Sequence, residues 1–162
     1  MAARWVGIQV SGEKVTLVDI SVPDDDGLFE VIADKTFALQ AGDRSQAYKV
    51  MHDRLSGYIR EQKISKAVVK ESALPLKGSP KLALLHSAEL RGVAMAAAAS
   101  ACDTKTVAKA SISRGFGKRK ADEYLRDDEF WENTLEGADL RAGSREAALL
   151  VISSAKKKKA PK

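Results

Sequence analysis

The stretch RWVGIQVSGEKVTLVDI, residues 4–20, predicts two short antiparallel strands joined by a tight turn. Residues 5–10 and 14–20 are mostly apolar and rich in β-branched side chains, and the SGEK between them supplies a glycine for the turn. The stretch LFEVIADKTFAL, residues 28–39, alternates well enough to be a third strand. The beginning of the chain therefore predicts an antiparallel meander.

After residue 43 the spacing of apolar residues changes from two to about 3.6, which is typical of helices. Asp43 and Gln46 have the form of a capping box, so the spacing predicts a helix over 44–62. The rest of the chain predicts alternating strands and helices: a buried parallel strand at 66–71, a helix at 81–101, a weaker strand at 104–111, a helix after residue 120 and a last helix at 144–155. The predicted order is β-β-β-α-β-α-β-α-α.

The chain has 162 residues, of which 44% are hydrophobic, enough for one sizeable core. We expect a single domain over residues 1–155 and a disordered, lysine-rich tail over 156–162. No stretch has the pattern of a signal peptide or a membrane span, which predicts a cytoplasmic protein without a membrane partner. One cysteine, Cys102, excludes an internal disulfide and fits a small buried thiol.

Charged residues make up 30% of the chain, and the formal net charge is +5. A basic chain favours a polyanionic partner such as nucleic acid. Much of this excess lies in the stretch AKKKKAPK, residues 155–162, so the globular body is nearly neutral. The charge balance therefore indicates nucleic-acid binding only weakly.

The segment SRGFGKRK, residues 113–120, combines cations, two glycines and an aromatic residue. Glycines let main-chain amides approach phosphates, cations neutralise those phosphates, and an exposed aromatic ring stacks on a base. A solvated basic turn is the competing interpretation, because the acidic stretch DEYLRDDEFWE follows at once. The candidate nucleic-acid-binding residues are Arg114, Phe116, Lys118, Arg119 and Lys120.

Several stretches, in order along nearly the whole chain, resemble the RuvC-like nucleases, the Holliday-junction resolvase branch of the ribonuclease H-like superfamily. VGIQVSG is similar to the opening strand of that family, which has Gly-Ile-Asp followed shortly by Gly, and GSREAALLVIS is similar to its closing helix, where two acids sit three residues apart. The other matching stretches are VVKES at 68–72, AELRGVAMAAAA at 88–99 and SISRGFGKRKADEYL at 111–125. The resemblance implies an α/β, ribonuclease H-like fold: a mixed five-stranded sheet, three antiparallel strands and then parallel ones, flanked by helices.

The resemblance also implies positions for four catalytic acids, which hold two divalent ions about 4 Å apart on a phosphodiester. Carried over to this chain, these positions are Gln9, Glu71, Gly143 and Glu146. The catalytic candidates are thus Glu71, Glu146 and the degenerate position Gln9, and the metal candidates are Glu71 and Glu146. An amide cannot balance two cations as a carboxylate does, so we do not expect the usual two-metal cleavage.

Both acids also have ordinary structural interpretations. Glu71 fits a carboxylate at a strand end that faces solvent or pairs with a cation, and Glu146 fits the first turn of a helix, where the helix dipole favours an acid. Asp19 lies on a neighbouring strand, and strand alternation gives no reason to place it in the site.

Three functions stay open from the sequence. The first is a nucleic-acid-binding RuvC-like domain whose metal-dependent nuclease activity is lost or weak. The second is an active endonuclease with a rearranged carboxylate site and Mg²⁺ or Mn²⁺ as cofactor. The DNA- or RNA-binding domain without cleavage needs no cofactor. The third is a non-catalytic protein-interaction module on the same fold. DNA is favoured over RNA as partner, and the resemblance implies that a homodimer could form through the helix at 81–101.

Overall fold

The computed structural model describes residues 2–75, 77–78 and 81–157. Its strands and helices follow the predicted order, with three further short elements. They are β1 (Ala3–Ser11), β2 (Lys14–Val22), β3 (Phe29–Ala38), α1 (Arg44–Glu61), β4 (Lys66–Lys70), α2 (Leu82–Ala101), β5 (Asp103–Val107), α3 (Lys109–Gly115), α4 (Ala121–Leu125), α5 (Asp128–Thr134), β6 (Leu135–Glu136) and α6 (Ala142–Lys157).

The strands of the described residues form one mixed sheet in the order β5-β4-β1-β2-β3-β6. β1, β2 and β3 are antiparallel to their neighbours in the meander, whereas β4 is parallel to β1 and β5 is parallel to β4. Gly12 has a φ of 59°, which allows the two-residue turn between Ser11 and Lys14. The predicted meander and the parallel strands after it are confirmed.

The sheet lies between two layers of helices, each with its own apolar cluster. One face packs against α1 and α2 around residues such as Ile8, Leu17 and Leu55. The other face packs mainly against α6, together with the short helices α3, α4 and α5, around Val18, Val68 and Leu150. Strand alternation sends successive residues of β1 into different layers, so a one-residue difference in position decides which layer a side chain enters.

Three details differ from the sequence prediction. The strand expected at 104–111 ends at Val107, and helix α3 begins at Lys109. The sheet has a sixth strand, β6, whose two residues pair with β3 at the end of a helical segment and are too short to carry an alternating pattern. The single helix expected after residue 120 is two short helices, α4 and α5, each begun by its own cap.

The last helix is longer than predicted, because it begins at Ala142 and continues to Lys157. It therefore runs two residues into the predicted tail, and the rest of that tail, residues 158–162, lies outside the described residues. No helix among residues 2–75, 77–78 and 81–157 combines the length and the apolarity that crossing a bilayer requires.

Candidate functional site

Gln9 lies near the end of β1 on the face that packs against α6. The residue is only 4% exposed, and its Nε2 donates a hydrogen bond to the carbonyl oxygen of Gly143, at 3.3 Å. Gly143 is the second residue of α6, so the bond ties the end of a central strand to the start of the last helix. The structure thus brings together two of the four positions that the resemblance singled out, and neither carries a carboxylate.

Gly7 explains how α6 comes so close to β1. A Cβ atom at this position would lie 1.8 Å from the carbonyl oxygen of Ala147 on α6, a separation that real side chains do not show. Gly7 and Gln9 point to the same face, because they are two residues apart on one strand. The glycine therefore sets the depth at which α6 packs, and with it the position of the polar residues around Gln9.

Lys70, not Glu71, stands beside Gln9 on the α6 face. Ile8 pairs with Val69 across β1 and β4, and Gln9 and Lys70 are the next residues along the two strands. Val69 belongs to the apolar cluster on the side of α1 and α2, so alternation turns Lys70 toward α6.

Glu71 follows the last residue of β4 and accepts a hydrogen bond from the Thr106 hydroxyl, at 2.9 Å. Thr106 precedes Val107, which packs against the cluster on the α6 side, so alternation turns Thr106 to the other face. Glu71 is therefore not brought together with Gln9 and Glu146, and the position beside Gln9 holds a cation. The resemblance assigned the acid position to Glu71, one residue after Lys70, and a difference of one residue on a strand places the side chain on the opposite face.

Glu146 is the centre of an ion-pair network on α6 that we call the Glu146 cluster: Lys70, Lys109, Asp122 and Glu146. The Lys70 ammonium lies 3.1 Å from Glu146 Oε1, and the Lys109 ammonium lies 3.8 Å from the same oxygen. Lys109 also contacts Asp122 Oδ1 at 2.5 Å, and this hydrogen bond lowers the pKa of the Asp122 carboxyl. Two ammonium groups thus face two carboxylates where a metal site would need carboxylates alone.

Two further bonds fix the start of α6 against β3. Ser144 is buried, and its hydroxyl donates to Asp34 Oδ1 at 2.7 Å, while the Arg141 guanidinium donates to the Thr36 hydroxyl. Sequence reasoning missed these contacts, as it missed Lys109 and Asp122. Their only sequence signal is strand alternation: Asp34 and Thr36 are two residues apart and so share a face of β3.

Asp19 lies on the face of the sheet opposite to Gln9, where it contacts α1 through Tyr58. It is fully buried, its Oδ1 accepts a hydrogen bond from Arg4 Nε at 2.8 Å, and its Oδ2 accepts one from the Tyr58 hydroxyl at 2.7 Å. We call Arg4, Asp19 and Tyr58 the Asp19 cluster. Burial, followed by the bond to Asp19, raises the pKa of Tyr58 above its ordinary value. The cluster joins β1, β2 and α1, and it lies on the face of the sheet opposite to the Gln9 side chain.

The residues at the Gln9 end of the sheet do not fit a pair of divalent ions. Mg²⁺ and Mn²⁺ prefer carboxylate oxygens, and a two-metal site needs several of them converging. Here Gln9 offers an amide and Gly143 has no side chain. The carboxylate of Glu146 is already in contact with the Lys70 ammonium. In the part of the chain that the structure describes, no three His, Cys, Asp or Glu side chains come together as metal ligands.

The basic segment 113–120 is split between the end of α3 and the loop before α4. Arg114, Lys118 and Lys120 are exposed to solvent. Arg119 pairs with Asp127 Oδ2 at 2.9 Å and lies over the Tyr124 ring, so part of its charge is already neutralised. The segment is connected to the Glu146 cluster through Lys109, the first residue of α3.

Phe116 does not have the exposed position that base stacking requires. The residue is 8% exposed, and its ring packs against Tyr124, with ring centroids 5.0 Å apart, and against Phe130. The expectation that Phe116 stacks on a base is therefore wrong. Its position two residues before the cations Lys118, Arg119 and Lys120 led to the expectation that its ring is part of a binding surface. The ring instead packs into the apolar cluster on the α6 side of the sheet and anchors the segment there.

No protein-family model matches the chain, and no curated protein matches it in sequence. Solved structures do match in fold. The structure of Thermus thermophilus RuvC is 10% identical, with a TM-score of 0.71, and 96% of each chain is covered. T. thermophilus RuvC in complex with Holliday junction substrate is 11% identical, with a TM-score of 0.69 and 97% of this chain and 96% of that chain covered.

The yeast mitochondrial Holliday junction resolvase Ydc2 is 11% identical, with a TM-score of 0.62, and the match covers 96% of this chain and 78% of that chain. At these identities the likeness shows the fold. The predicted fold class, a ribonuclease H-like mixed sheet flanked by helices in its RuvC form, is confirmed, with six strands in place of five.

Proposed function

We propose that this chain, which has the fold of RuvC, binds DNA at the carboxyl end of its central strands and does not cleave it by a two-metal mechanism. One observation carries the proposal: where the resemblance places catalytic acids, the Gln9 amide bonds the Gly143 carbonyl and the Lys70 ammonium contacts Glu146. The fold is kept, and the group that would bind metal is replaced by a hydrogen bond and an ion pair.

Cations on one side of the molecule support the DNA-binding half of the proposal. Lys70 and Lys109 are partly exposed beside Glu146, and Lys118 and Lys120 are exposed on the loop that follows α3. Lysine side chains attract backbone phosphates irrespective of base sequence, and such binding weakens steeply with salt. The structure of T. thermophilus RuvC in complex with Holliday junction substrate supports branched DNA as the first ligand to test.

Charge neutralisation in the basic loop gives the first experiment. The variant Lys118→Gln/Lys120→Gln should weaken binding to duplex and four-way-junction DNA, measured by fluorescence anisotropy across a series of salt concentrations. The slope of log K against log salt should fall by about one for each lysine that contacts a phosphate. The control is Lys49→Gln. Lys49 is an exposed lysine that pairs with Asp53 on the same helix, α1, which packs on the other face of the sheet.

Two outcomes would contradict DNA binding through this loop. An equal loss for each lysine removed, in the loop variant and in the Lys49→Gln control, would show that net charge alone governs the affinity. Absence of any binding by the natural protein at low salt would exclude the nucleic-acid function and favour the protein-interaction module.

Cleavage is tested on the same DNA substrates with Mg²⁺ or Mn²⁺ added. We expect none, and we expect the DNA affinity to be the same in EDTA. Metal-dependent cleavage by the natural protein that disappears in Glu71→Gln or Glu146→Gln would instead establish the active endonuclease with a rearranged site. A cytoplasmic location and a homodimer stay predictions, the second of which sedimentation equilibrium tests directly.

A further inference from the structure

Lys70 has an unusual setting for a lysine at the end of a strand. It is the last residue of β4, a strand that lies between β1 and β5, and its side chain is 24% exposed. Its ammonium lies 3.1 Å from Glu146 Oε1, and the Glu146 side chain is 25% exposed. An ion pair on a free surface is loosely held, whereas here a central strand and α6 fix the two partners.

The charges around Lys70 resemble those of an occupied metal site with the metal exchanged for an amine. A metal site places a cation among carboxylates and balances its charge. Here the cation belongs to the chain, Glu146 and Asp122 supply the negative charges, and Lys109 supplies a second positive charge between them. Gln9, the neighbour of Lys70 on the adjacent strand, is neutral, so the four charges of the Glu146 cluster balance without it.

We infer that the ammonium group of Lys70 takes the place of a divalent cation at this end of the sheet. Two features then exclude a metal ion: the amide at Gln9 and the positive charge already in place. The second is independent of the first. The inference goes beyond the proposed function, because it concerns which cation the site holds and stands whether or not the chain binds DNA.

A carboxylate restored at position 9 is then not sufficient for metal binding. Gln9→Asp alone should not create a metal site, because the new carboxylate lies beside the Lys70 ammonium and pairs with it. Removal of that ammonium should be needed as well. In Gln9→Asp/Lys70→Gln, positions 9 and 146 both carry carboxylates on the α6 face and the ammonium from β4 is gone, and carboxylate oxygens are the ligands that Mn²⁺ prefers.

Calorimetric titration with MnCl₂ tests this statement on the full-length protein. We expect no detectable binding at the Gln9 end in the natural protein or in Gln9→Asp, and binding in Gln9→Asp/Lys70→Gln that is at least about tenfold tighter than the weakest affinity the titration detects. The matched control is Gln9→Asp/Lys109→Gln, which removes the other ammonium near Glu146 Oε1, the one 3.8 Å away, and should bind no better than Gln9→Asp. Melting temperatures with and without MnCl₂ give a second readout that needs no activity.

Equal Mn²⁺ affinity of Gln9→Asp and Gln9→Asp/Lys70→Gln would overturn the inference, since Lys70 would then not compete with the metal. Equal gains from removing Lys70 and from removing Lys109 would overturn it too, because general repulsion would explain both. If the double variant fails to fold, the natural protein decides. Mn²⁺ broadens NMR signals near its site, so selective broadening of the Gln9 side-chain amide in the natural protein would overturn the inference, and its absence at millimolar Mn²⁺ would support it.

Discussion

The two polar clusters on opposite faces of the sheet differ in how much water reaches them. In the Asp19 cluster the central carboxylate is completely buried and hydrogen-bonded on both oxygens. In the Glu146 cluster every member is partly exposed, and Asp122 is 53% exposed. Both clusters contain an acid that a sequence search for catalytic carboxylates would consider.

The difference separates a structural role from a binding role. A buried carboxylate whose oxygens are both hydrogen-bonded inside the protein is not accessible to a ligand, and its loss leaves the partly buried Arg4 guanidinium and the Tyr58 hydroxyl without their partner. A partly exposed network contributes little to folding, and its charges remain accessible to a phosphate or an ion. We therefore expect substitutions in the Asp19 cluster to change stability, and substitutions in the Glu146 cluster to change binding.

Asp19→Ala should have the largest effect on folding. It removes the partner of Arg4 and of the Tyr58 hydroxyl inside the protein, which should lower the free energy of unfolding by about 3 kcal/mol. For a chain of this length, that corresponds to a melting temperature lower by about 6–12 °C. Thermal unfolding followed by circular dichroism measures the change.

The control for this prediction is Asp53→Ala, which removes an exposed acid on α1 whose carboxylate contacts the exposed Lys49 ammonium and the His52 ring. Its effect should stay within about 0.5 kcal/mol. A loss in Asp19→Ala no larger than in Asp53→Ala would mean that burial does not distinguish the clusters, and the comparison would fail.

The sequence was sufficient for the fold because its decisive signals are local. Alternation and the Gly12 turn predict the hairpin, and Asp43 caps the start of α1, where its side chain accepts a hydrogen bond from the main-chain N–H of Gln46 at 3.0 Å. These features depend on neighbours within a few residues. They predict the order of strands and helices along the chain, which the structure confirms with three further short elements.

The candidate site was harder to predict because it depends on register between distant strands. Gln9 and Gly143 were placed together correctly, since the strand and the helix each carry a recognisable pattern. Glu71 was assigned in place of Lys70, because an acid was expected and a displacement of one residue is invisible without the pairing of Ile8 with Val69. Phe116 was misplaced for a different reason: a single aromatic residue among cations gives no period from which burial can be inferred.

The Asp19 cluster should also make stability depend on alkaline pH. Tyr58 has a raised pKa, caused first by burial and then by its bond to Asp19, so the folded protein holds this proton more tightly than the unfolded chain. Stability from this group is full below the ordinary tyrosine pKa of 10.0 and decreases as pH rises above it. Urea unfolding between pH 8 and about 11 should show the decrease.

Tyr58→Phe tests the origin of that dependence. The variant should be less stable by about 1 kcal/mol at neutral pH, because the Asp19 oxygen loses a hydrogen bond. Its stability should then fall less than that of the natural protein above pH 10.0. Parallel curves for the two proteins would assign the alkaline loss to other groups and remove Tyr58 from the explanation.

Glu146→Gln should have the smallest effect on folding and the most informative effect on binding. Its ion pairs are partly exposed, so the free energy of unfolding should change by less than about 1 kcal/mol. The two lysines of the cluster then face a neutral amide, and duplex DNA should bind about twofold to fivefold more tightly, in line with the modest contribution of one partly exposed charge. Lys70→Gln should shift the affinity in the opposite direction. Anisotropy titrations at one low salt concentration measure both variants, and a large loss of stability in Glu146→Gln without a change in affinity would place the Glu146 cluster in the same structural class as the Asp19 cluster.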